Sequence, residues 1–217
     1  MNIVVAIDSF KGSLSSTEAG NIVKNAALKI EPSYNVIVRP LADGGEGTVE
    51  ALSSGVKGEL IELEVTGPLF EKVTAKYFIM AENNTAVIEM ASAAGLTLIE
   101  ENKRNPLKTT TFGVGELILD AIEKGCRRFI IGIGGSATND GGIGMLGALG
   151  YNFLDEKGKS VTLNGGGLKD IKSICNDNVN PILKKCIFKV ACDVTNPLCG
   201  ELGCSKVFAP QKGADAE

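Results

Sequence analysis

The sequence predicts an α/β fold with a parallel sheet. Three apolar runs, at 3–7, 35–41 and 129–133, each lead into a glycine-rich polar loop and then into a stretch with helical character. Repetition of strand, loop and helix is typical of folds in which the strands lie parallel and the helices cover them. Such folds bind ligands at the carboxyl ends of the strands, so the loops mark the expected site.

The first unit opens the chain. Its apolar run at 3–7 is typical of a strand buried on both faces. After a polar break, Ser15 and Glu18 have the spacing of a capping box, which predicts the start of a helix. Apolar residues then recur at helical spacing as far as Ile30, and Pro32 predicts the end of the helix.

Strand and helix patterns continue without an internal repeat. A turn-forming run at 155–158 predicts a hairpin over 152–161, and the glycines at 165–167 predict a flexible joint. The apolar run 187–192 predicts a last buried strand. The remaining predicted elements are strands at 35–41, 59–66, 72–80, 86–90 and 129–133 and helices at 49–53, 113–124 and 143–149.

Composition limits the classes of function. The chain has 217 residues, 44% of them hydrophobic, which is enough for one large domain or two smaller ones. Its 22 basic and 26 acidic residues give a net charge of −4, and no basic run is present, so nucleic acid is not an expected partner. No apolar stretch has the length of a membrane span and no signal peptide is seen. A cytoplasmic protein that binds no membrane is therefore expected.

Histidine is absent from the chain, and six cysteines are present. Ser-His or Cys-His nucleophilic catalysis and histidine-ligated metals are therefore excluded within this chain. Proton transfer would fall to a carboxylate, a lysine or a tyrosine. Because the cysteines form no C-x-x-C pair, a structural zinc site is not expected, and reduced thiols in a cytosolic protein are favoured.

Four loops share one pattern, in which small residues and an acid follow an apolar strand. A single aspartate after a strand is usually a helix cap or a turn former. Four at the same edge of an α/β sheet favour a shared cleft, where carboxylates suit Mg²⁺ and glycine-rich backbone suits phosphate. Lysines beside it would offset the charge of a transferred phosphoryl group. The aspartates are Asp8, Asp43, Asp140 and Asp193, and the lysines are Lys11 and Lys212.

The loop 132–142 is the strongest indication of a ligand-binding site in the sequence. Small residues allow its backbone to approach a ligand, and a loop that opens a helix directs N–H groups at an anion. Gly132-x-Gly134-x-x-Ala137 also matches the dinucleotide fingerprint of an NAD(P)-dependent oxidoreductase, with Asp155 downstream to bind a ribose. Asp155 falls in the predicted hairpin turn, which argues against this alternative. The Walker A pattern is absent, which excludes a P-loop kinase.

Several motifs together resemble the class I glycerate kinase family. They occur in order over nearly the whole chain, and the longer ones are specific. The resemblance implies an ATP-dependent kinase that uses Mg²⁺ to convert D-glycerate into 2-phosphoglycerate by in-line transfer. The motifs lie at 8–13, 40–48, 85–91, 132–144, 191–194, 196–198 and 210–214.

The resemblance also implies two α/β lobes with the active site in the cleft between them. One lobe is Rossmann-like with a parallel sheet, and the other is inserted into it. We expect residues 1–66 to form the first part of the Rossmann-like lobe and residues 67–217 to form the inserted lobe with connecting segments. Glycerate is the expected small-molecule partner, and a homodimer is one assembly that the sequence allows.

Site residues are carried over position by position from the resemblance. Asp43 or Asp193 would serve as general base for the substrate hydroxyl, and the other would help to hold Mg²⁺. The catalytic set is Asp8, Lys11, Asp43, Asp193 and Lys212. The ATP-binding set is Gly134, Gly135, Ser136, Ala137, Thr138, Asn139, Asp140, Gly141 and Gly142. The substrate-binding set is Ser9, Gly44, Gly45, Glu46, Gly47, Thr48 and Gln211.

The chain departs from the family pattern in its length. Family members continue past Glu217, so the resemblance implies that a further glycine-rich segment, which completes the first lobe, is missing. The first strands would then lack neighbours and leave apolar edges exposed. We expect weak or no turnover of glycerate by the 217 residues alone. A third alternative is therefore a folded, non-catalytic fragment that dimerises through these edges.

Overall fold

The computed structural model describes residues 1–10, 13–42 and 44–215. Within these residues the strands form three sheets, and the helices alternate with the strands in the first and last parts of the chain. The strands are β1 (Asn2–Ile7), β2 (Asn35–Pro40), β3 (Gly58–Thr66), β4 (Lys72–Met80), β5 (Thr85–Glu89), β6 (Arg128–Gly132), β7 (Asn152–Leu154), β8 (Ser173–Cys175) and β9 (Ile187–Ala191). The helices are α1 (Ser16–Ile30), α2 (Thr48–Gly55), α3 (Met90–Ala94), α4 (Phe112–Glu123), α5 (Ile143–Ala148) and α6 (Cys204–Phe208).

The first strand–helix–strand unit forms as the sequence predicts. β1 and β2 pair in parallel, with Asn2 opposite Asn35 and Ile7 opposite Pro40, and α1 connects them. The capping box is present: the Ser15 hydroxyl accepts the Glu18 N–H at 3.2 Å, and the Glu18 carboxylate accepts the Ser15 N–H at 2.8 Å. These bonds satisfy N–H groups that the first turn of a helix otherwise leaves unpaired.

A five-stranded mixed sheet forms the centre of the molecule, in the order β3-β4-β5-β6-β9. β5, β6 and β9 run parallel, whereas β3 and β4 pair antiparallel, as do β4 and β5. The main core lies between this sheet and α4, with side chains such as Tyr77, Ile88, Leu117 and Phe129 almost fully buried. The α/β class is therefore confirmed.

The division into two lobes stays a prediction. β3 lies at the end of the range 1–66, and it pairs with β4 along its full length, from Gly58 opposite Met80 to Thr66 opposite Lys72. The strand that we expected in the first part of the chain thus belongs to the sheet that follows it. The turn that begins at Gly67 joins the two strands, so the expected boundary at residue 66 falls inside a β-hairpin.

Strand β9 corrects the expectation of a buried strand. It pairs with β6 and lies at the edge of the sheet, where Ile187 is 57% and Val190 58% exposed. An apolar run predicts a strand, but burial depends on a neighbour on the other side, which the local sequence does not specify.

The apolar stripe of α1 is exposed, although its spacing predicts a core-facing side. Ile22 and Ile30 are 55% and 81% exposed, and the buried positions are Ser16, Ala19 and Gly20. Gly20 lies directly against Val38 of β2, without space for a side chain. The helix therefore approaches its sheet through small residues, and its larger apolar residues face away from it.

The segment after α5 forms the predicted hairpin but differs from the prediction at the glycines that follow it. The Asp155 N–H donates to the Lys159 carbonyl and the Val161 N–H to the Phe153 carbonyl, each at 2.9 Å, and Leu154 and Ser160 form an antiparallel bridge. On its other side, β7 pairs with β8. The expected flexible joint is a 3-10 helix, Gly165–Asp170, in which Gly165 packs against the carbonyl of Pro106. No helix among the described residues has the length and apolar character needed to cross a membrane.

Candidate functional site

One cavity of about 780 Å³ lies where the four predicted loops meet. The loops follow β1, β2, β6 and β9, and each contributes to the lining through Ser9, residues 45–47, residues 134–135 and Asp193. All four loops therefore border one cavity, although Asp193 is the only one of the three described aspartates that lines it. The volume is within the range of about 300–1,000 Å³ that is usual for small-ligand sites.

Glycines allow two of these loops to pack backbone against backbone. A Cβ atom on Gly132 would overlap the carbonyl oxygen of Gly44, and one on Gly134 would lie 2.7 Å from the Gly45 Cα. Gly44 has φ of +89° and lies against Ala191 at the end of β9. The sequence predicts that these glycines admit a ligand, but at Gly132 and Gly134 the close neighbour is another loop of the protein.

Asp140 is an internal cap for two helices. Its side chain is 2% exposed, and its carboxylate accepts four hydrogen bonds. The Thr111 N–H and hydroxyl donate at 2.9 and 2.8 Å, and the N–H groups of Gly142 and Gly144 donate at 3.0 and 3.2 Å. Thr111 precedes α4 and Gly142 precedes α5, so the carboxylate joins the two helix starts. It is not part of the cavity wall.

The rest of the predicted ATP-binding loop is also held by protein contacts. Ala137 donates its N–H to the Ala94 carbonyl at 2.8 Å, and its own carbonyl accepts the Thr109 hydroxyl at 3.1 Å. Asn139 bonds to the Ser205 hydroxyl at 3.1 Å. Of the predicted ATP-binding set, Gly134 and Gly135 line the cavity, whereas Ser136, Ala137, Thr138, Asn139, Asp140, Gly141 and Gly142 do not.

Lys212 fastens the same loop from the far end of the chain. It ends the 3-10 helix Pro210–Lys212, and its ammonium donates to the Ser136 hydroxyl at 2.8 Å and to the Thr138 carbonyl at 2.6 Å. Burial lowers the pKa of Lys212, and the charge of Asp140 acts in the opposite direction. Lys212 lies behind the cavity wall, whereas its neighbour Gln211 lines it.

Some of the predicted acids and substrate-binding residues line the cavity, and others do not. Glu46 and Asp193 line the cavity and are exposed there, as acids that hold a hydrated cation must be. Asp8 instead accepts the Ser9 N–H at 2.7 Å, and Thr48 donates its hydroxyl to the Gly45 carbonyl at 2.9 Å. Asp8, Gly44 and Thr48 do not line the cavity. Lys11 and Asp43 lie outside the described residues.

Glu89 is a cavity residue that the sequence did not predict. It ends β5, is 6% exposed, and accepts the Val49 N–H at 2.5 Å. Burial raises the pKa of Glu89, while hydrogen bonds from Val49 and Gly47 and the charge of Lys76 act in the opposite direction. In the sequence, the available indication was an acid directly after the apolar residues 86–88, inside the motif 85–91.

The start of α1 forms a second part of the wall that the sequence did not predict. Ser13, Ser15, Ser16 and Thr17 line the cavity opposite the glycine-rich loops. The Ser16 hydroxyl donates to the Leu41 carbonyl at 2.9 Å, which ties this end of α1 to the end of β2. In the sequence, the serine-rich segment before α1 was the available indication of a polar binding surface.

Comparisons with known proteins point to one family. The model of the glycerate kinase family matches residues 3–217. The chain is 50% identical over 214 residues to a protein of Escherichia coli K12 named glycerate 2-kinase, and 48% identical over 217 residues to a Haemophilus influenzae protein named glycerate kinase. These alignments cover 99% and 100% of this chain but 56% and 57% of the relatives. The chain thus spans little more than half the length of those relatives.

A solved structure agrees with this result. The crystal structure of a candidate glycerate kinase 2 from Salmonella typhimurium LT2 superposes with a TM-score of 0.85 at 47% sequence identity. The match covers 100% of this chain and 58% of that one. The arrangement of strands, loops and helices around the cavity therefore recurs in a longer protein of similar sequence.

Proposed function

Because the chain belongs to the glycerate kinase family, we propose that its cavity binds D-glycerate and Mg-ATP for transfer of the γ-phosphoryl group to the 2-hydroxyl of glycerate. The E. coli relative that is 50% identical is named glycerate 2-kinase, which favours 2-phosphoglycerate as product. The observation that carries the proposal is the meeting of four strand-end loops at one cavity of about 780 Å³. We infer a cytoplasmic enzyme.

The cavity wall has the chemistry that a nucleotide and a small hydroxy acid require. Backbone of residues 45–47 and 134–135 offers polar groups, and the Ser13 and Thr17 hydroxyls near the start of α1 can donate hydrogen bonds to a carboxylate or phosphate. The Ser15 and Ser16 hydroxyls already donate to Glu18 and to the Leu41 carbonyl. Lys76 of β4 also lines the cavity and supplies a positive charge. These groups support an anionic ligand.

The acids fit a magnesium ion that is held chiefly by phosphate oxygens. No cluster of three or more carboxylate or thiol ligands occurs in the described part of the chain. Mg²⁺ usually takes one or two protein carboxylates, with phosphate oxygens and water completing its coordination. Whichever of Asp193 and Asp43 does not act as the base would supply that small donor set. When bound, the ion would offset the charge of the transferred phosphoryl group.

Residues of the chain can then be given roles in the transfer. Asp193 or Asp43 accepts the proton of the glycerate hydroxyl, the freed oxygen bonds to the γ-phosphorus, and the bond to the departing nucleoside diphosphate breaks. Lys11 pairs with the glycerate carboxylate or the γ-phosphate. Lys212 acts through the loop that it holds, since its ammonium is engaged with Ser136 and Thr138.

The oxidoreductase alternative is not favoured. Its fingerprint needs an acid that binds a ribose, and Asp155 was the candidate. The Asp155 carboxylate instead accepts the N–H groups of Lys157 and Lys159 at 2.8 and 2.9 Å within its turn. Asp155 is also absent from the cavity wall.

Phosphoryl transfer is best tested directly. D-glycerate, ATP and Mg²⁺ are incubated with this chain and with a version extended to the length of the relatives, and products are followed by phosphorus NMR. We expect a 2-phosphoglycerate signal from the extended version and a weak signal or none from the 217-residue chain. In the extended version, Asp193→Asn should lower kcat about 100-fold or more if Asp193 is the base.

The matched control is Asp177→Asn, because Asp177 is exposed and does not line the cavity. It should leave the rate unchanged. Absence of any phosphoglycerate from either protein would contradict the kinase proposal, and binding of NAD(H) would then be measured. A chain that binds neither nucleotide would match the non-catalytic fragment.

A further inference from the structure

Helix α2 lacks a capping side chain of its own and receives one from another element. The residue before α2 is Gly47, which has φ of +95° and no side chain. Glu89, at the end of β5, supplies the acceptor: its Oε1 atom accepts the Val49 N–H at 2.5 Å. The backbone of Gly47 also favours the ionised form of this carboxylate and so lowers its pKa, against the larger effect of burial. A carboxylate at this position satisfies unpaired N–H groups and interacts favourably with the helix dipole.

The capping contact lies in the wall of the cavity. Glu89 lines it together with residues 45–47, which connect β2 to α2. At the other end of this loop, Gly44 packs against Ala191 and Gly132. The loop is therefore fixed at one end by close packing of backbone and at the other end by a buried carboxylate.

The contact between Glu89 and α2 also affects where the anionic groups of a ligand can bind. The Val49 N–H at the start of α2 is already bonded to Glu89. A ligand anion at that helix end would meet a carboxylate, so anionic groups are directed to other parts of the wall. Two charged groups face Glu89 besides the helix: Lys76 from β4, which favours its ionised form, and Glu46 from the loop, which opposes it.

We propose that Glu89 is a positioning residue, whose carboxylate holds the α2 end of the loop so that residues 45–47 present their backbone to the ligand. The proposal rests on the proposed function, because it takes the cavity as the ligand site. It predicts that loss of the carboxylate weakens ligand binding more than it weakens folding. A residue that served folding alone would show the reverse.

The test compares Glu89→Gln with Glu116→Gln in this chain. The Glu116 carboxylate likewise accepts a backbone N–H, that of Thr66 at 2.6 Å, and it does not line the cavity. Dissociation constants for Mg-ATP and for D-glycerate are measured by calorimetry, unfolding temperatures by circular dichroism, and amide signals by NMR. We expect Glu89→Gln to raise at least one dissociation constant about tenfold and to shift the signals of residues 45–47.

The control should change neither dissociation constant, even if it lowers the unfolding temperature as much. Unchanged dissociation constants together with unshifted signals at 45–47 would overturn the proposal. If the unmodified chain binds neither ligand, the proposed function of this chain fails, and the NMR signals alone decide the role of Glu89. Shifted signals at 45–47 then support the positioning role, and unshifted signals overturn it.

Discussion

Gly132 and Gly134 have no side chains because another loop of the protein occupies the space beside them. A Cβ on Gly134 would lie 2.7 Å from the Gly45 Cα, a distance at which one backbone must move. Glycine density in such a loop thus reflects two different needs, close packing between loops and access for a ligand. The sequence shows that the loop is rich in glycine, but it does not show which glycines serve packing between loops and which serve access for a ligand.

Gly134→Ala should separate the two loops and destabilise the chain by about 1–3 kcal/mol, because the added methyl group overlaps backbone. It should also weaken Mg-ATP binding, since Gly134 and Gly45 both line the cavity. Gly55→Ala is the matched control, as a Cβ there has no atom within 4 Å. Urea unfolding and calorimetry measure both effects, and equal stability of the two variants would contradict the prediction.

Asp140→Asn should destabilise the chain by about 3 kcal/mol, since an amide cannot accept all four hydrogen bonds and places an N–H group against other donors. Asp155→Asn, which changes a half-buried aspartate that accepts two N–H groups in a turn, should cost less than about 1 kcal/mol. The free energy of unfolding in urea measures both. Similar values for the two variants would argue against Asp140 as the joint between α4 and α5.

Several elements are fastened to each other by single side chains across the cavity region. Lys212 joins the 3-10 helix Pro210–Lys212 to the loop after β6, and Glu89 joins the end of β5 to α2. Each contact links segments that lie far apart in sequence. The positions of the loops therefore depend on partners that no local pattern could identify.

The α2 cap should make stability depend on pH. Burial raises the pKa of Glu89 above its ordinary value of 4.5, so the folded chain binds the proton more tightly than the unfolded chain does. The stabilising contribution of this proton is present below 4.5 and is lost as pH rises through the raised pKa. Because the glutamine side chain of Glu89→Gln does not titrate, the stability of this variant lacks that pH dependence.

Unfolding free energies of the unmodified chain and of Glu89→Gln, measured from pH 4 upward, test this expectation. The unmodified chain should lose stability relative to the variant as the pH passes from the ordinary range of a glutamate to neutral. The charges of Lys76 and Glu46 also act on the pKa of Glu89, and both residues are the same in the unmodified chain and in Glu89→Gln. A constant difference over the whole range would contradict the expected titration.

At the scale of the whole molecule, apolar side chains are exposed on three elements whose apolar patterns are typical of buried ones. Val4 of β1 is 63% exposed, and the stripes of α1 and β9 are exposed as well. A two-stranded sheet with one connecting helix is at best marginally stable by itself. Exposed apolar edges of this kind favour pairing with another chain.

Val190→Lys should lower self-association of the chain about tenfold, because it places a charge on the exposed edge of β9. It should change stability little, since Val190 is 58% exposed. Leu107→Lys is the control, because Leu107 is similarly exposed, at 62%, and does not belong to β9. Sedimentation velocity over a range of concentrations measures both variants. A chain that is monomeric throughout would contradict the prediction.

The sequence by itself determined the α/β class, the order of most elements, the capping box of α1 and the loops that meet at the cavity. These features follow from periodicity, turn chemistry and capping, which act within a few residues of each other. Only the tertiary structure decided that β9 is an edge strand, that Asp140 is enclosed, and that Glu89 caps α2. These depend on which distant segments pack together, and long-range contacts leave no periodic trace in the local sequence.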